Sequence, residues 1–174
     1  IKRKFSLAVR SSEMWTYLGI IALSTLVISL NCLPQFDSYG QSLKHSAFQV
    51  GSIITTTGFS TVDFDLWPEL SKTILVILMF VGASAGSTGG GIKVSRIVIM
   101  IKTAIAQVKK QVSPRSVQTV KFEKKLVDSS LQSGIMGYLT VYICVFVVSL
   151  AIISLDSFSM VTSFTSVTAC LNNI

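Results

Sequence analysis

Charged side chains are scarce in this sequence. Asp, Glu, Lys and Arg make up 13% of the 174 residues, whereas half of the residues are hydrophobic and the mean hydropathy is +0.65. Because an ordinary soluble domain carries about 25% charged residues, this composition excludes that class. The long apolar segments instead predict a membrane protein, in which lipid surrounds much of the hydrophobic surface.

Cysteine and histidine are too few to indicate a metal or redox centre. Cys32, Cys144 and Cys170 lie in or beside apolar segments without C-x-x-C spacing, so we expect three buried free thiols. His45 is the single histidine, and we place it at the start of a short helix, in an interfacial or capping role. The sequence therefore predicts no covalently bound cofactor and no histidine or cysteine metal site.

The few charges predict the topology. Basic residues precede a first uncharged segment at 15–33, which is longer than the apolar region of a signal peptide and is followed by further apolar segments. The next stretch, 34–69, contains four acidic residues against one lysine. By the positive-inside rule, the N-terminus lies in the cytoplasm and residues 34–69 lie outside.

This external stretch contains a short apolar run, 47–54, followed by Thr55, Thr56, Thr57 and Gly58. Eight to ten helical residues rise about 15 Å, half of a bilayer core, so we predict a half-helix that enters the membrane and returns as irregular backbone. Such backbone is tolerated where it is buried in protein or lines a water-filled path. The negative end of the helix dipole would favour a cation, coordinated by carbonyl oxygens. A simple polar turn is the alternative.

Glycine is concentrated in one place. Five of the 11 glycines lie in GASAGSTGGG at 82–91, and each costs about 1 kcal/mol in a helix interior. We therefore predict that the apolar segment 70–106 is a broken helix, whose second half starts near Ile92 and enters the cytoplasm. A nucleotide-binding P-loop is the alternative, but Ile92 occupies the place of its lysine and Val94 follows Lys93.

The chain repeats itself at a spacing of 117 residues. The segment 15–33 falls on 132–150, and positions 50, 52, 54 and 55 fall on 167, 169, 171 and 172. We therefore divide the chain into a complete helix, pore-loop, helix repeat at 1–110, a basic cytoplasmic connector at 111–131 and a partial second repeat at 132–174. The spans are expected at about 15–33, 70–106 and 134–155, and the pore loops at 45–60 and 157–174. Because the second unit has no exit helix, we expect the sequence to be a fragment.

Four motifs together resemble the TrkH-type subunits of bacterial potassium uptake systems, in the wider Trk and Ktr group. They are ITTTGF at 54–59, LWP at 66–68, FVGASAGSTGGGIKV at 80–94 and LNNI at 171–174, and the resemblance covers nearly the whole chain. It implies an all-α integral membrane fold of potassium-channel-like helix, pore-loop, helix repeats. Four such repeats would surround one potassium path, and this chain would be the third and the start of the fourth.

The resemblance also implies the site and the partners. Potassium would be the transported ion, held by backbone carbonyls of a filter formed by Thr55, Thr56, Thr57, Gly58, Phe59, Asn172, Asn173 and Ile174. The gate would be an intramembrane loop of Gly82, Ala83, Ser84, Ala85, Gly86, Ser87, Thr88, Gly89, Gly90 and Gly91. The protein would lie in the bacterial inner membrane as a homodimer, with membrane lipid and a cytoplasmic nucleotide-binding regulatory subunit of the TrkA type as partners. Nucleic acid is not an expected partner, and we expect no enzyme activity.

We expect the glycine-rich loop to be a movable barrier. Lys93 and Arg96 lie just beyond it, where a cytoplasmic partner could bias the second half of the broken helix. The alternative is that the glycines only permit close helix packing. For the whole chain, the alternatives to potassium uptake are a non-conducting accessory or scaffold subunit and, more remotely, a nucleotide-dependent membrane enzyme.

Overall fold

Helices dominate the computed structural model, which describes residues 11–113, 119–123 and 125–174. Within these residues the helices, in chain order, are α1 (Ser12–Asn31), α2 (Tyr39–Ile54), α3 (Glu69–Phe80), α4 (Val94–Val112), α5 (Ser129–Ile153) and α6 (Met160–Asn172). Two pairs of two-residue strands complete the fold: β1 (Val81–Gly82) is parallel to β2 (Ile92–Lys93), and β3 (Lys121–Phe122) is antiparallel to β4 (Lys125–Leu126). The predicted all-α membrane class is confirmed. The basic residues Lys2, Arg3, Lys4, Arg10, Arg115 and Lys124 lie outside the described residues.

Two helices of the described part of the chain, α1 and α5, are long and apolar enough to cross a membrane. Only 17% of the most apolar stretch of α1 and 6% of that of α5 is buried, so both helices direct most of their surface outward. The third apolar segment is interrupted between Phe80 and Val94, where the glycines lie. This break separates two shorter helices, α3 and α4, as the glycine content predicts.

Helix α2 is longer than the sequence indicated. It begins at Tyr39, where the Ser38 hydroxyl accepts a hydrogen bond from the amide of Gly40, and its 16 residues rise about 24 Å. The expected short helix with His45 at its start was therefore wrong. The His45 ring lies in mid-helix, stacked on Phe36 at 5.3 Å, with Nδ1 2.9 Å from the Thr61 hydroxyl. The apolar run in the sequence does not reveal the first turns of α2, because the residues that these turns bury, such as Ser42 and Ser46, are polar.

One hydrophobic cluster joins α1, α2 and α3. Its buried members are Ile28, Cys32, Val50, Ile53, Ile54, Trp67, Leu75, Leu78 and Met79. Ser71 is fully buried beside the cluster, where its hydroxyl accepts a hydrogen bond from Asn31 and lies 3.3 Å from the Cys32 thiol. Trp67, in the segment that leads into α3, is only 4% exposed. The cluster fixes α3, and with it the start of the glycine loop.

Three aromatic rings connect the two repeats. Phe80, at the end of α3, is 5.6 Å from Phe146 of α5, and Phe146 is 5.3 Å from Phe164 of α6 in an edge-to-face arrangement. Of the three free cysteines, only Cys32 is buried, whereas Cys144 and Cys170 are exposed. The expectation of three buried thiols was therefore wrong, because an apolar segment does not reveal which of its faces is packed.

We expect Leu75→Ala to destabilise the protein, expressed from its complete gene, by about 2–4 kcal/mol, because the Leu75 side chain is 1% exposed within the cluster. Ile77→Ala is the matched control, since Ile77 lies in the same helix and is 57% exposed. Thermal melting of the detergent-purified protein measures both. Equal melting temperatures for the two variants would contradict this assignment of the core.

Candidate ion filter and gate loop

Helix α2 ends in a tight turn of polar residues. The amide of Thr56 donates to the carbonyl of Ile53 at 3.0 Å, and the amide of Thr57 donates to that of Ser52 at 2.8 Å. Thr56 has a left-handed backbone with φ of 55°. The Thr55 hydroxyl donates to the carbonyl of Gly51 at 2.7 Å, which leaves it to accept a bond from the Thr57 hydroxyl at 2.8 Å. These bonds hold a conformation that β-branched residues rarely adopt.

Helix α6 ends in the same turn, 117 residues later. Asn173, the counterpart of Thr56, is also left-handed, with φ of 58°. Its amide donates to the carbonyl of Cys170 at 3.3 Å, and the amide of Ile174 donates to that of Ala169 at 3.1 Å. Each donor and acceptor is the counterpart of one in the first turn. The repeat therefore extends from the sequence to individual hydrogen bonds.

The two turns lie side by side. A Cβ added to Gly58 would be 3.4 Å from the carbonyl carbon of Ile174, and Gly58 itself has φ of +77°. The Ser52 hydroxyl donates to the carbonyl of Phe59 at 2.6 Å. Within the described residues, the carbonyl oxygens of Thr55, Thr56, Thr57 and Gly58 accept no hydrogen bond. Four carbonyl groups next to the negative end of a helix dipole are thus free to coordinate a cation.

The glycine-rich segment is a closed loop. The parallel pairing of β1 with β2 joins its two ends, and the Ser87 amide donates to the carbonyl of Ser84 at 2.9 Å across a tight turn. Ala83 is buried, whereas Ala85, Gly86 and Thr88 are exposed near the tip. Gly82 and Gly91 lie so close that a Cβ on Gly82 would be 2.9 Å from the Gly91 carbonyl carbon. Glycine is required at this closure because any side chain would separate the two ends.

The loop packs against both turns. A Cβ on Gly90 would overlap the backbone carbonyl of Asn172, and a Cβ on Gly89 would lie 3.3 Å from the Thr56 hydroxyl. Asn172 is fully buried at this contact. The structure therefore brings together the three segments that the sequence identified separately: the TTTGF turn, the NNI turn and the glycine loop.

Lys93 folds back onto the loop. Its ammonium group donates to the carbonyl of Ser87 at 2.8 Å and to that of Gly89 at 2.5 Å. Arg96 points elsewhere, with its guanidinium carbon 4.2 Å from the centre of the Tyr138 ring. Both residues follow the loop directly in the chain, but the sequence does not show that the lysine side chain turns back toward the loop backbone.

Two further residues of the site were missed by sequence reasoning. The Glu13 carboxylate accepts a hydrogen bond from the Ala85 amide at 2.6 Å, and so connects the start of α1 to the loop tip. The Tyr142 hydroxyl donates to the side-chain oxygen of Asn172 at 2.7 Å. Both lie far along the chain from their partners. The one available signal was that Tyr142 lies within an uncharged membrane span, where a polar side chain requires a partner.

The fold and the site define a helical membrane protein in which polar backbone segments meet between the helices. The model of the TrkH family, described as cation transport protein, matches residues 20–174. This chain belongs to that family. It is 37% identical to the Trk system potassium uptake protein TrkH of Halomonas elongata over 156 residues, which cover 90% of this chain and 32% of that protein.

Two further comparisons agree. The protein of the same name from Escherichia coli strain K12 is 34% identical over 172 residues, which cover 95% of this chain and 35% of that protein. The crystal structure of the potassium transporter TrkH from Vibrio parahaemolyticus superimposes with a TM-score of 0.87 at 32% identity, over 94% of this chain and 35% of that one. The chain thus spans about a third of the length of the relatives it matches.

We expect Gly90→Ala to lower the melting temperature of the detergent-purified protein, since an added methyl group would displace the Asn172 carbonyl, and overpacking of this kind costs about 1–3 kcal/mol. Gly86→Ala is the matched control, because a Cβ at Gly86 meets no atom within 4 Å. If both variants melt at the wild-type temperature, the loop does not pack against Asn172 as described.

Proposed function

We propose that this chain forms part of the potassium path of an inner-membrane uptake transporter. The observation that carries the proposal is the meeting of two repeat-related turns, the first of which has four carbonyl groups without a hydrogen bond among the described residues. Relatives named as potassium uptake proteins match over nearly the whole chain, which supports potassium as the ion. Residues 55–59 and 172–174 act as two strands of a selectivity filter, and potassium is held through their backbone carbonyls.

The physical argument concerns ion hydration. Moving a monovalent ion from water into a low-dielectric medium costs on the order of 20 kcal/mol, so oxygen ligands must replace the hydration shell. The carbonyls of Thr55 to Gly58 and the C-terminal ends of α2 and α6 provide partial negative charge at one place. Two strands surround an ion only in part, so the remaining ligands come from the rest of the transporter.

The charge distribution supports an orientation. The N-terminus and residues 103–133 lie in the cytoplasm, and residues 34–69 lie outside, where Asp63, Asp65 and Glu69 are exposed and would attract cations. We further propose the homodimer, the contact with membrane lipid and the cytoplasmic nucleotide-binding regulatory subunit of the TrkA type that the resemblance implies.

In the transporter expressed from its complete gene, we expect Gly58→Ser to reduce potassium uptake at least tenfold or to abolish its discrimination against sodium. A side chain at φ of +77° is strained by about 1–2 kcal/mol, and it would narrow the space beside Ile174. Uptake by a potassium-starved host that lacks its own transporters measures the effect. Gly19→Ser serves as control, because a Cβ at Gly19 meets no atom within 4 Å.

The same assay tests the proposal against its alternatives. Failure of the wild-type protein to restore potassium uptake, although it inserts into the membrane, would favour the non-conducting scaffold. The nucleotide-dependent enzyme has little support at the loop, because the loop presents carbonyl groups to the Lys93 ammonium rather than amide groups to a phosphate.

The glycine loop at 82–91 is proposed as the gate of this path. It lies against both filter strands, and the Lys93 ammonium, bound to two of its carbonyls, places a positive charge at its base. A fixed positive charge opposes the passage of a cation. Movement of α4 would withdraw the lysine, free the two carbonyls and allow the loop to leave the filter. The loop is thus held closed by a contact that a cytoplasmic partner of α4 can break.

We expect Lys93→Met to raise potassium flux severalfold and to make it less dependent on the regulatory subunit, because the closed loop loses its two charge-assisted hydrogen bonds. Lys102→Met is the control, since Lys102 lies on the same helix and donates to the carbonyl of Lys121 rather than to the loop. Flux is measured in proteoliposomes with and without the regulator. A lower or unchanged flux through stable Lys93→Met protein would contradict the gate.

A further inference from the structure

The two filter turns are the same in backbone but differ in how their side chains are held. Thr55 and Asn172 occupy equivalent positions, and each side chain bonds to the carbonyl four residues earlier: Thr55 Oγ1 to Gly51 and Asn172 Nδ2 to Thr168, both at 2.7 Å. The side-chain amide of Asn172 makes a second hydrogen bond. Its Oδ1 accepts from the hydroxyl of Tyr142 on α5, also at 2.7 Å, and we call this hydrogen bond the brace.

Among the described residues, the first repeat has no such brace. The counterpart of Tyr142 is Thr25 on α1, whose hydroxyl is buried and has no partner among the described residues. Its short side chain does not reach Thr55, which bonds to Thr57 within its own turn. The first turn is therefore held by its own threonines, whereas the second is tied to the neighbouring span.

The brace acts at the point where the filter meets the loop. Asn172 is fully buried, its backbone carbonyl lies against Gly90, and the next residue is the left-handed Asn173. Rotation of the Asn172 side chain would break both hydrogen bonds of its amide, so these bonds oppose movement of the turn. Tyr142 itself is held on α5 beside the Tyr138 ring, at 6.1 Å between ring centres.

We propose that Tyr142 is a filter-positioning residue that acts through Asn172 on the discrimination between potassium and sodium. The inference rests on the proposed function of the two turns as filter strands. Sodium is the smaller ion, so its coordination requires the carbonyl groups to move inward, and a braced turn resists that movement. The first turn, which is held by the hydroxyl groups of its own threonines, lacks this external support.

The test is a double-mutant cycle of Tyr142→Phe and Asn172→Thr in the transporter expressed from its complete gene. Tyr142→Phe removes the hydroxyl and keeps the ring. Asn172→Thr places in the second turn the residue that the first turn has at this position. The threonine hydroxyl can still donate to the carbonyl four residues earlier, as Thr55 does, but the Oδ1 atom that accepts from Tyr142 is lost. Tyr138→Phe is the control, because it removes a hydroxyl from the same helix, keeps the ring beneath Arg96 and does not contact Asn172.

The readout is the ratio of sodium to potassium flux in proteoliposomes, which does not depend on how much protein inserts. We expect Tyr142→Phe to raise this ratio about threefold to tenfold, Tyr138→Phe to leave it unchanged, and Tyr142→Phe to have no further effect once Asn172→Thr is present. If the Tyr142→Phe protein does not insert into the membrane, the flux ratio of the Asn172→Thr variant tests the inference instead, because this variant lacks the same hydrogen bond.

Three results would overturn the inference. An unchanged ratio in Tyr142→Phe, together with normal potassium uptake, would refute the brace and leave the proposed function standing. Equal effects of Tyr142→Phe with and without Asn172→Thr would show that the hydroxyl acts on another group. Absence of potassium flux through the wild-type protein would refute the proposed function and the inference with it.

Discussion

Peptide groups inside a bilayer need partners, since each unsatisfied amide or carbonyl costs several kcal/mol in hydrocarbon. This chain brings two helix ends and a ten-residue glycine loop into one place between its helices. The amides of both turns are bonded to helix carbonyls, and the loop is closed by strand pairing and by Lys93. Within the described residues, the carbonyl oxygens of Thr55 to Gly58 accept no hydrogen bond. Unbonded carbonyl oxygens of this kind are the acceptors that a cation requires as ligands.

The two repeats show how one backbone geometry is held by different chemistry. Thr56 and Asn173 adopt nearly the same left-handed conformation, although only asparagine favours it. Threonine hydroxyls within the turn stabilise the first case, and a tyrosine on a neighbouring span stabilises the second. The two turns therefore have the same backbone geometry but different supporting contacts.

Lys93 links the glycine loop to α4, the second half of the broken helix. It is the last residue before α4, and its ammonium group bonds to carbonyls four and six residues earlier. Glu13 holds the loop tip from the start of α1, where the Ser11 hydroxyl also bonds to Glu123 of the connector hairpin. A movement of α4 would therefore be transmitted to the loop through the hydrogen bonds of Lys93. A movement of this hairpin would be transmitted through the start of α1 and the hydrogen bond of Glu13.

The membrane class, the break at the glycines, the 117-residue repeat and the family could be predicted from the amino-acid sequence, because composition, the cost of glycine in a helix and internal similarity do not depend on how the helices pack. The sequence also identified the TTTGF, NNI and glycine segments, but one by one. Only the tertiary structure brought them into contact, and only it decided the length of α2, the exposure of Cys144 and Cys170, and the partners of Lys93, Glu13 and Tyr142. These features depend on which face of a helix meets which neighbour. A polar residue such as Tyr142 can satisfy its hydrogen bonds in many ways, and the packing of distant helices selects the partner.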